Sequence, residues 1–154
     1  MTTLTEEQGK ALALTYHKAF TAGFAANNHA ETMKDIYASS VECDWSDGFS
    51  GTKTPEEIFE RMATTWGIMV SDIVWDVSTM VVDTTNGKVL IGGNNVINID
   101  GKLGKAHIVH APFVQTIGFD ENGKVNSVVG LWNNAEPSML EALGKVSEAL
   151  KAGA

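Results

Sequence analysis

The sequence predicts an α+β domain in which helices come first and a curved, mostly antiparallel sheet follows, and three observations carry that prediction. Apolar residues recur at helical spacing up to Ala26 and again after Thr54, then give way from Ser71 to long runs rich in Val, Ile and Trp. Those runs are joined by Thr85-Asn86-Gly87, Ile99-Asp100-Gly101 and Glu121-Asn122-Gly123, where Asn or Asp tolerates left-handed backbone and Gly takes the strained position, the chemistry of tight hairpins. Strands of about 9 to 14 residues accumulate twist, so a sheet of this size curls around the helices that cover it and leaves a hollow at its wide end.

Each element has its own local cause. Thr5 followed three residues later by Gln8 forms a capping box that satisfies two orphan helix donors, and Leu12, Tyr16, Phe20 and Phe24 carry the helix to Ala26, where Asn27-Asn28 breaks it. A second, shorter helix is expected over residues 29–38, with Met33, Ile36 and Tyr37 on its inner side. Residues 41–45 have the β-branched and aromatic character of a short strand, and Ser46-Asp47-Gly48 reads as a polar loop. Thr54 as N-cap, Pro55 at the first helical position and Glu56-Glu57 in the first turn start a third helix. That helix is expected to reach Met69 with Ile58, Phe59, Met62, Ala63 and Trp66 inward. Strands follow over residues 73–83, 89–99, 106–119 and 125–133, and a last helix over 137–151 carries a stripe of Met139, Leu140, Leu143, Val146 and Leu150. With no repeat, low-complexity tract or linker, residues 1–154 read as one domain with its core in about 5–134.

Bulk numbers narrow the function. A hydrophobic content of 44% with 19% charged residues is that of a chain with a packed core and far from the signature of disorder. The net charge of -8 repels phosphate backbones and anionic headgroups, and Arg61 is the sole guanidinium, so neither nucleic acid nor a membrane surface is an expected partner. Cys43 stands alone, which excludes an intrachain disulfide and a cysteine metal cluster and leaves it as a small buried hydrophobe. The first ten residues have neither a basic segment nor an apolar one, and no apolar run approaches the ~20 residues of a membrane span, so a cytoplasmic protein is expected. There is no phosphate loop, dinucleotide fingerprint or nucleophile elbow, and any chemistry is expected to need no cofactor. His107 and His110, three apart on a strand, face opposite sides and make no metal site.

The order helix, helix, short strand, polar loop with Gly51, capped helix and four long strands resembles the cone-shaped nuclear-transport-factor-2-like superfamily, which includes SnoaL-like cyclases and ketosteroid isomerase. In letters, the likeness is carried by Tyr37-Ala38-Ser39-Ser40-Val41, by Gly51 before the capped helix and by the hairpin run from Ile117 to Val125. The resemblance implies a pocket protein that pairs through its sheet face as a homodimer. Against ketosteroid isomerase, Gln115 falls where the protonated Asp of the oxyanion hole stands and Trp132 on an aromatic pocket residue, while the general-base Asp aligns near Trp45, beside Asp44 and Asp47. Two of the three catalytic positions are thus altered or unplaced, and that activity is not expected. The Arg-Asp-Asp set of limonene epoxide hydrolase and the His-rich end of the family's carbonic anhydrases are not matched either, the latter being replaced by Trp132-Asn133-Asn134.

Strand alternation puts His107, Phe113, Gln115 and Ile117 on one face, if Pro112 introduces no bulge. The candidates for chemistry are Asp47 or His107 as proton-transfer group and Gln115 as a neutral donor to a carbonyl. Asp47 has a competing reading as a turn residue bonding its own backbone. Tyr16, Phe20, Tyr37, Trp45, Phe113 and Trp132, with Asn134, form the expected ligand wall, although aromatic residues at these spacings also build cores. The expected function is a pocket for a small apolar or aromatic ligand, with cofactor-free lyase, isomerase or cyclase chemistry by acid-base catalysis. The alternative is a non-catalytic interaction or dimerisation domain.

Overall fold

In a computed structural model, residues 2–67, 70–101 and 104–132 are described, with scattered positions between 137 and 152. Helix α1 spans Glu6–Ala26 with the Thr5 capping box formed, and it stops where Asn27 turns left-handed. Its buried stripe is Ala13, Tyr16, His17, Phe20 and Phe24, with Gly9 and Gly23 where the backbone comes close to its neighbours.

Helix α2 is a single turn, His29–Thr32, rather than the ten residues expected, and strand β1 begins at Tyr37 and runs to Trp45. The reason is tertiary. The Ile36 carbonyl accepts from the Val125 N–H, and the Asp35 carbonyl accepts from the Lys124 ammonium, so the chain is captured by the sheet before a second helical turn can form. Strand β2, Ser50–Lys53, pairs antiparallel with β1 and was hidden in the sequence by its polar, glycine-containing letters.

Helix α3 spans Pro55–Arg61 with the Thr54 capping box and Pro55 in place. It then widens into a π turn over Met62–Trp66. The wider turn keeps Ile58, Met62 and Trp66 on one buried line and leaves Ala63, expected inside, exposed.

Strands β3 (Val70–Asp83), β4 (Lys88–Gly101), β5 (Gly104–Phe119) and β6 (Val125–Trp132) form the antiparallel run, and β6 closes onto β1 in parallel, giving the order β2-β1-β6-β5-β4-β3. Gly87 and Gly123 take positive φ in their turns, as the hairpin chemistry requires. Register shifts interrupt the β3–β4, β4–β5 and β5–β6 ladders. Each is a local bend that lets the long strands curve around α1 and α3.

Among 137–152, the described positions Pro137, Leu140, Glu141, Gly144, Ser147, Glu148 and Lys151 are helical; the rest of the expected C-terminal helix lies outside the described residues. Among the described residues no helix is long and apolar enough to cross a membrane.

Candidate ligand-binding site

One rung across the sheet organises the site. Trp45 on β1 stands opposite Gly130 on β6, Gly130 opposite Gln115 on β5, and Gln115 opposite Ile91 on β4. All four are buried on the concave side. Gly130 is the hinge of this arrangement, because a β-carbon there would lie 2.8 Å from the Trp132 ring. Its hydrogen leaves Trp45, Trp132 and Gln115 facing one space.

That space is a cavity of about 70 Å³ between the sheet, α1 and the π turn. Helix α1 contributes Tyr16, Phe20 and Phe24, the π turn Met62 and Trp66, and the sheet Ile73, Trp75, Asn95, Ile97 and Phe113. All four tryptophans of the chain line it. Their rings meet edge to face, Trp66 with Trp132 at 5.7 Å and Trp45 with Trp132 at 6.4 Å between centroids, the geometry that the ring quadrupoles favour.

The polar groups are few and neutral. Gln115, 7% exposed, bonds through Oε1 to Nε2 of His17, 5% exposed, at 3.0 Å. Burial pulls the His17 pKa below its ordinary value, and the Gln115 bond opposes part of that shift. The imidazole therefore stays uncharged at neutral pH, and it packs on Trp75 with centroids 4.3 Å apart. The indole nitrogens of Trp45, Trp75 and Trp132 and Oδ1 of Asn95 are buried with no protein partner. Tyr16 and Tyr37 meet edge to face at 6.2 Å; both hydroxyls are buried without a hydrogen-bond partner, that of Tyr16 beside Gln115, and burial raises both phenol pKa values.

No protein-family model and no curated sequence matches the chain. Solved structures do match in shape. A protein from Shewanella putrefaciens assigned as a SnoaL-like polyketide cyclase superposes with a TM-score of 0.66 at 18% identity, covering 89% of this chain and 86% of that one. A nuclear-transport-factor-2-like protein from Anabaena variabilis gives 0.65 at 13% identity, with 86% and 95% covered. The BvnE pinacolase of Penicillium brevicompactum gives 0.65 at 14% identity, with 94% and 93% covered. The chain has the nuclear-transport-factor-2-like fold. At such identities the likeness extends to the fold and no further.

Within this fold the residues expected from the sequence separate into three groups. Tyr16, Phe20, Trp45, Phe113, Gln115 and Trp132 converge on the cavity. Tyr37 is buried but stands behind Tyr16, between it and Phe59, and is not on the wall. Asn134 and the side chain of His107 lie outside the described residues.

The parity that put His107 in phase with Gln115 does not run through the strand. Asn95 pairs with Ala111 but Ile97 with Ile108, so β5 carries one extra residue there, and Ile108 is what stands opposite the cavity-lining Ile97. His107 stands opposite Asn98.

Asp47 sits outside the cavity. Its Oδ1 accepts from the Phe49 N–H, the turn bond, while Oδ2 accepts from Arg61 at 3.0 Å and from the Trp66 indole at 3.2 Å. Arg61, without an obvious partner in the sequence, is thus paired with Asp47 and lies 5.7 Å from the centroid of the Phe49 ring. The carboxylate holds Trp66 from behind.

His17, Trp66, Trp75 and Asn95 complete the site beyond the residues picked as its wall. His17 had a signal: it lies on the buried stripe of a helix, one residue after Tyr16 and three before Phe20, where a polar residue needs a partner. Trp75 had one too, two residues after Ile73 on an alternating strand.

Proposed function

We propose that the chain holds a small apolar or aromatic molecule among its four tryptophans, with Gln115 donating to an oxygen of that molecule. The observation that carries this reading is the convergence of all four indoles on one cavity, three of them with buried N–H groups that no protein acceptor meets. A core that only packs has no reason to leave three donors unpaired, since each costs about 1–3 kcal/mol. The cavity is smaller than the ~300 Å³ at which drug-sized sites begin, so entry of such a ligand requires the rings to swing. Trp66 and Trp132, facing each other at the sheet end, are the rings this reading assigns to that motion.

The names of the neighbours, a polyketide cyclase and a pinacolase, favour a cofactor-free cyclase, isomerase or lyase. In this reading Gln115 polarises the carbonyl and Asp47 supports Trp66 from outside the cavity. Native mass spectrometry of freshly purified protein, combined with NMR of the four indole N–H resonances, tests the pocket. A bound small molecule that shifts those resonances and is lost in Trp132→Ala and in Gln115→Leu is expected. Indole resonances that no apolar compound moves would remove the proposal.

A second observation favours pairing of two copies through the outer face of the sheet. Val81, Leu90, Val114, Val129 and Leu131 are exposed there on adjoining strands. Of these five, Val114 and Leu131 also line the cavity, so pairing centred on Val81, Leu90 and Val129 is compatible with an occupied one.

A further inference from the structure

The neutral state and the single bond of His17 decide which end of Gln115 the cavity sees. Two arrangements produce the 3.0 Å contact between the imidazole Nε2 and the Gln115 amide. In one, Nε2 carries the proton and donates to Oε1, leaving Nδ1 as a bare acceptor. In the other, the amide is turned, its nitrogen donates to an unprotonated Nε2, and Nδ1 carries the proton.

Nδ1 is buried and has no partner. The second arrangement therefore strands a buried N–H, and the first strands only a lone pair, which proteins tolerate more often. The ring is neutral because burial depresses its basicity, so the doubly protonated form does not compete at neutral pH. The ring also packs against Trp75, 4.3 Å between centroids, with Phe113 at 6.3 Å, contacts that hold it in place.

With Oε1 committed to His17, the Gln115 nitrogen is left pointing over Gly130, 3.8 Å from where a β-carbon of that residue would sit. It points into the cavity, which Gly130 and Trp132 also line. The described lining includes no Asp, Glu, Lys, Arg or His, and its one phenol, Tyr16, is held neutral by burial. An ionised ligand would find no counter-charge there and would pay its full desolvation. A hydroxyl could accept from the Gln115 nitrogen, but it would bring a proton for which the Gln115 end of the lining offers only the Tyr16 oxygen, whereas a carbonyl brings no proton to place.

We infer that His17 is a positioning residue that locks the Gln115 amide with its nitrogen inward, and that the cavity thereby selects a neutral carbonyl oxygen over a hydroxyl of the same shape. The inference rests on the ligand-pocket reading above and specifies the chemistry of its polar end. In the ring and the amide alike, the selectivity comes from a donor fixed in place rather than from a charge.

The test uses three near-isosteric probes, acetophenone, 1-phenylethanol and α-methylstyrene, titrated into the wild-type chain and followed by the indole N–H and the Gln115 side-chain amide resonances. Acetophenone is expected to bind about tenfold more tightly than 1-phenylethanol. It is also expected to be the probe that moves the Gln115 amide most. His17→Phe keeps a ring against Trp75 and removes the donor, and it is expected to bring the ketone-to-alcohol ratio to within about twofold while α-methylstyrene binding is little changed. His17→Gln, which restores an amide donor toward Oε1, is expected to recover part of the ratio.

A measurement that needs no variant and no ligand stands beside these: the imidazole ¹⁵N shifts of His17 should show Nε2 protonated and Nδ1 bare at pH 7. A proton on Nδ1, or an unchanged ratio in a folded His17→Phe, overturns the inference. Probes that shift the indoles without any ketone preference overturn it and leave the pocket standing. Probes that move nothing take down the pocket reading as well.

Discussion

His29 shows at the scale of one residue how a buried base ties stability to pH. Its ring sits over Gly23, where a β-carbon would collide with it, and packs edge-on against Phe24 at 4.5 Å and Phe20 at 5.3 Å. Nε2 has no partner, and burial pulls the pKa from 6.5 down to about 4, with a backbone bond at Phe20 opposing part of the shift. Because the folded value lies below the unfolded one, the unfolded chain binds more protons between them, and stability is lost as pH falls from 6.5 toward 4. His17 shifts in the same direction and adds to the effect. Thermal melts across that window should fall toward acid, and His29→Phe, which keeps the ring, should flatten part of the fall; an equal slope in the variant would assign the loss elsewhere. Gly23→Ala should destabilise at every pH, since the clash does not titrate. Single residues were legible unevenly: alternation and the hairpin count put Gln115, Phe113 and Trp132 on one face, and all three line the cavity, because period two is fixed by the pleat. Histidines were not, since whether one is a buried neutral ring or a solvated one depends on partners in other elements, Gln115 on β5 for His17 and, across the break after α1, Phe20 for His29.

At the scale of the element, the legible parts are those whose cause is local. Both capping boxes were readable because the cap and its partner are three residues apart, and both form. Thr54→Ala should therefore cost about 1 kcal/mol in denaturant melts, a loss set by one N-terminal bond pair of α3 and independent of the cavity. The π turn and the truncated α2 were not readable, because each answers to a distant element. Residues 33–36 yield to β6, and the segment from Met62 to Trp66 widens where Trp66 must reach both the cavity and Asp47. Replacing Asp47 tests that account. Asp47→Ala removes the bond to the Trp66 indole, the pair with Arg61 and the turn bond to Phe49 together, and a destabilisation of about 1–3 kcal/mol is expected. Asp47→Asn keeps an acceptor and should cost less. The indole resonance of Trp66 should move most in both variants; if Trp45 or Trp75 responds more strongly, the carboxylate is not what holds the π turn.

For the whole molecule, the order of strands was set by hairpin chemistry, but the register within them was not, because one extra residue between Ile108 and Ala111 reverses which side chains share a face and leaves no mark in composition. The same register shows what the outer face offers. Thr79, Gly92, Val114 and Leu131 stand on one rung across β3 to β6, and Val81, Leu90, Thr116 and Val129 on the next but one, with no charged residue in either. On a chain with a net charge of -8, most approaches between two copies bring like charges together. This neutral, apolar region is where a second copy can dock at least electrostatic cost, and burying it removes water from five aliphatic side chains that a lone chain leaves exposed. Light scattering at micromolar concentration should give twice the mass of one chain. Leu90→Glu places a carboxylate in this face, between Val81 and Thr116, and should yield monomers whose near-ultraviolet circular dichroism and carbonyl preference are unchanged, because neither Leu90 nor these two neighbours line the cavity. A wild-type chain that is already monomeric would mean that this face serves another partner; a Leu90→Glu monomer that also loses its ligand would mean that the two faces of the sheet are coupled.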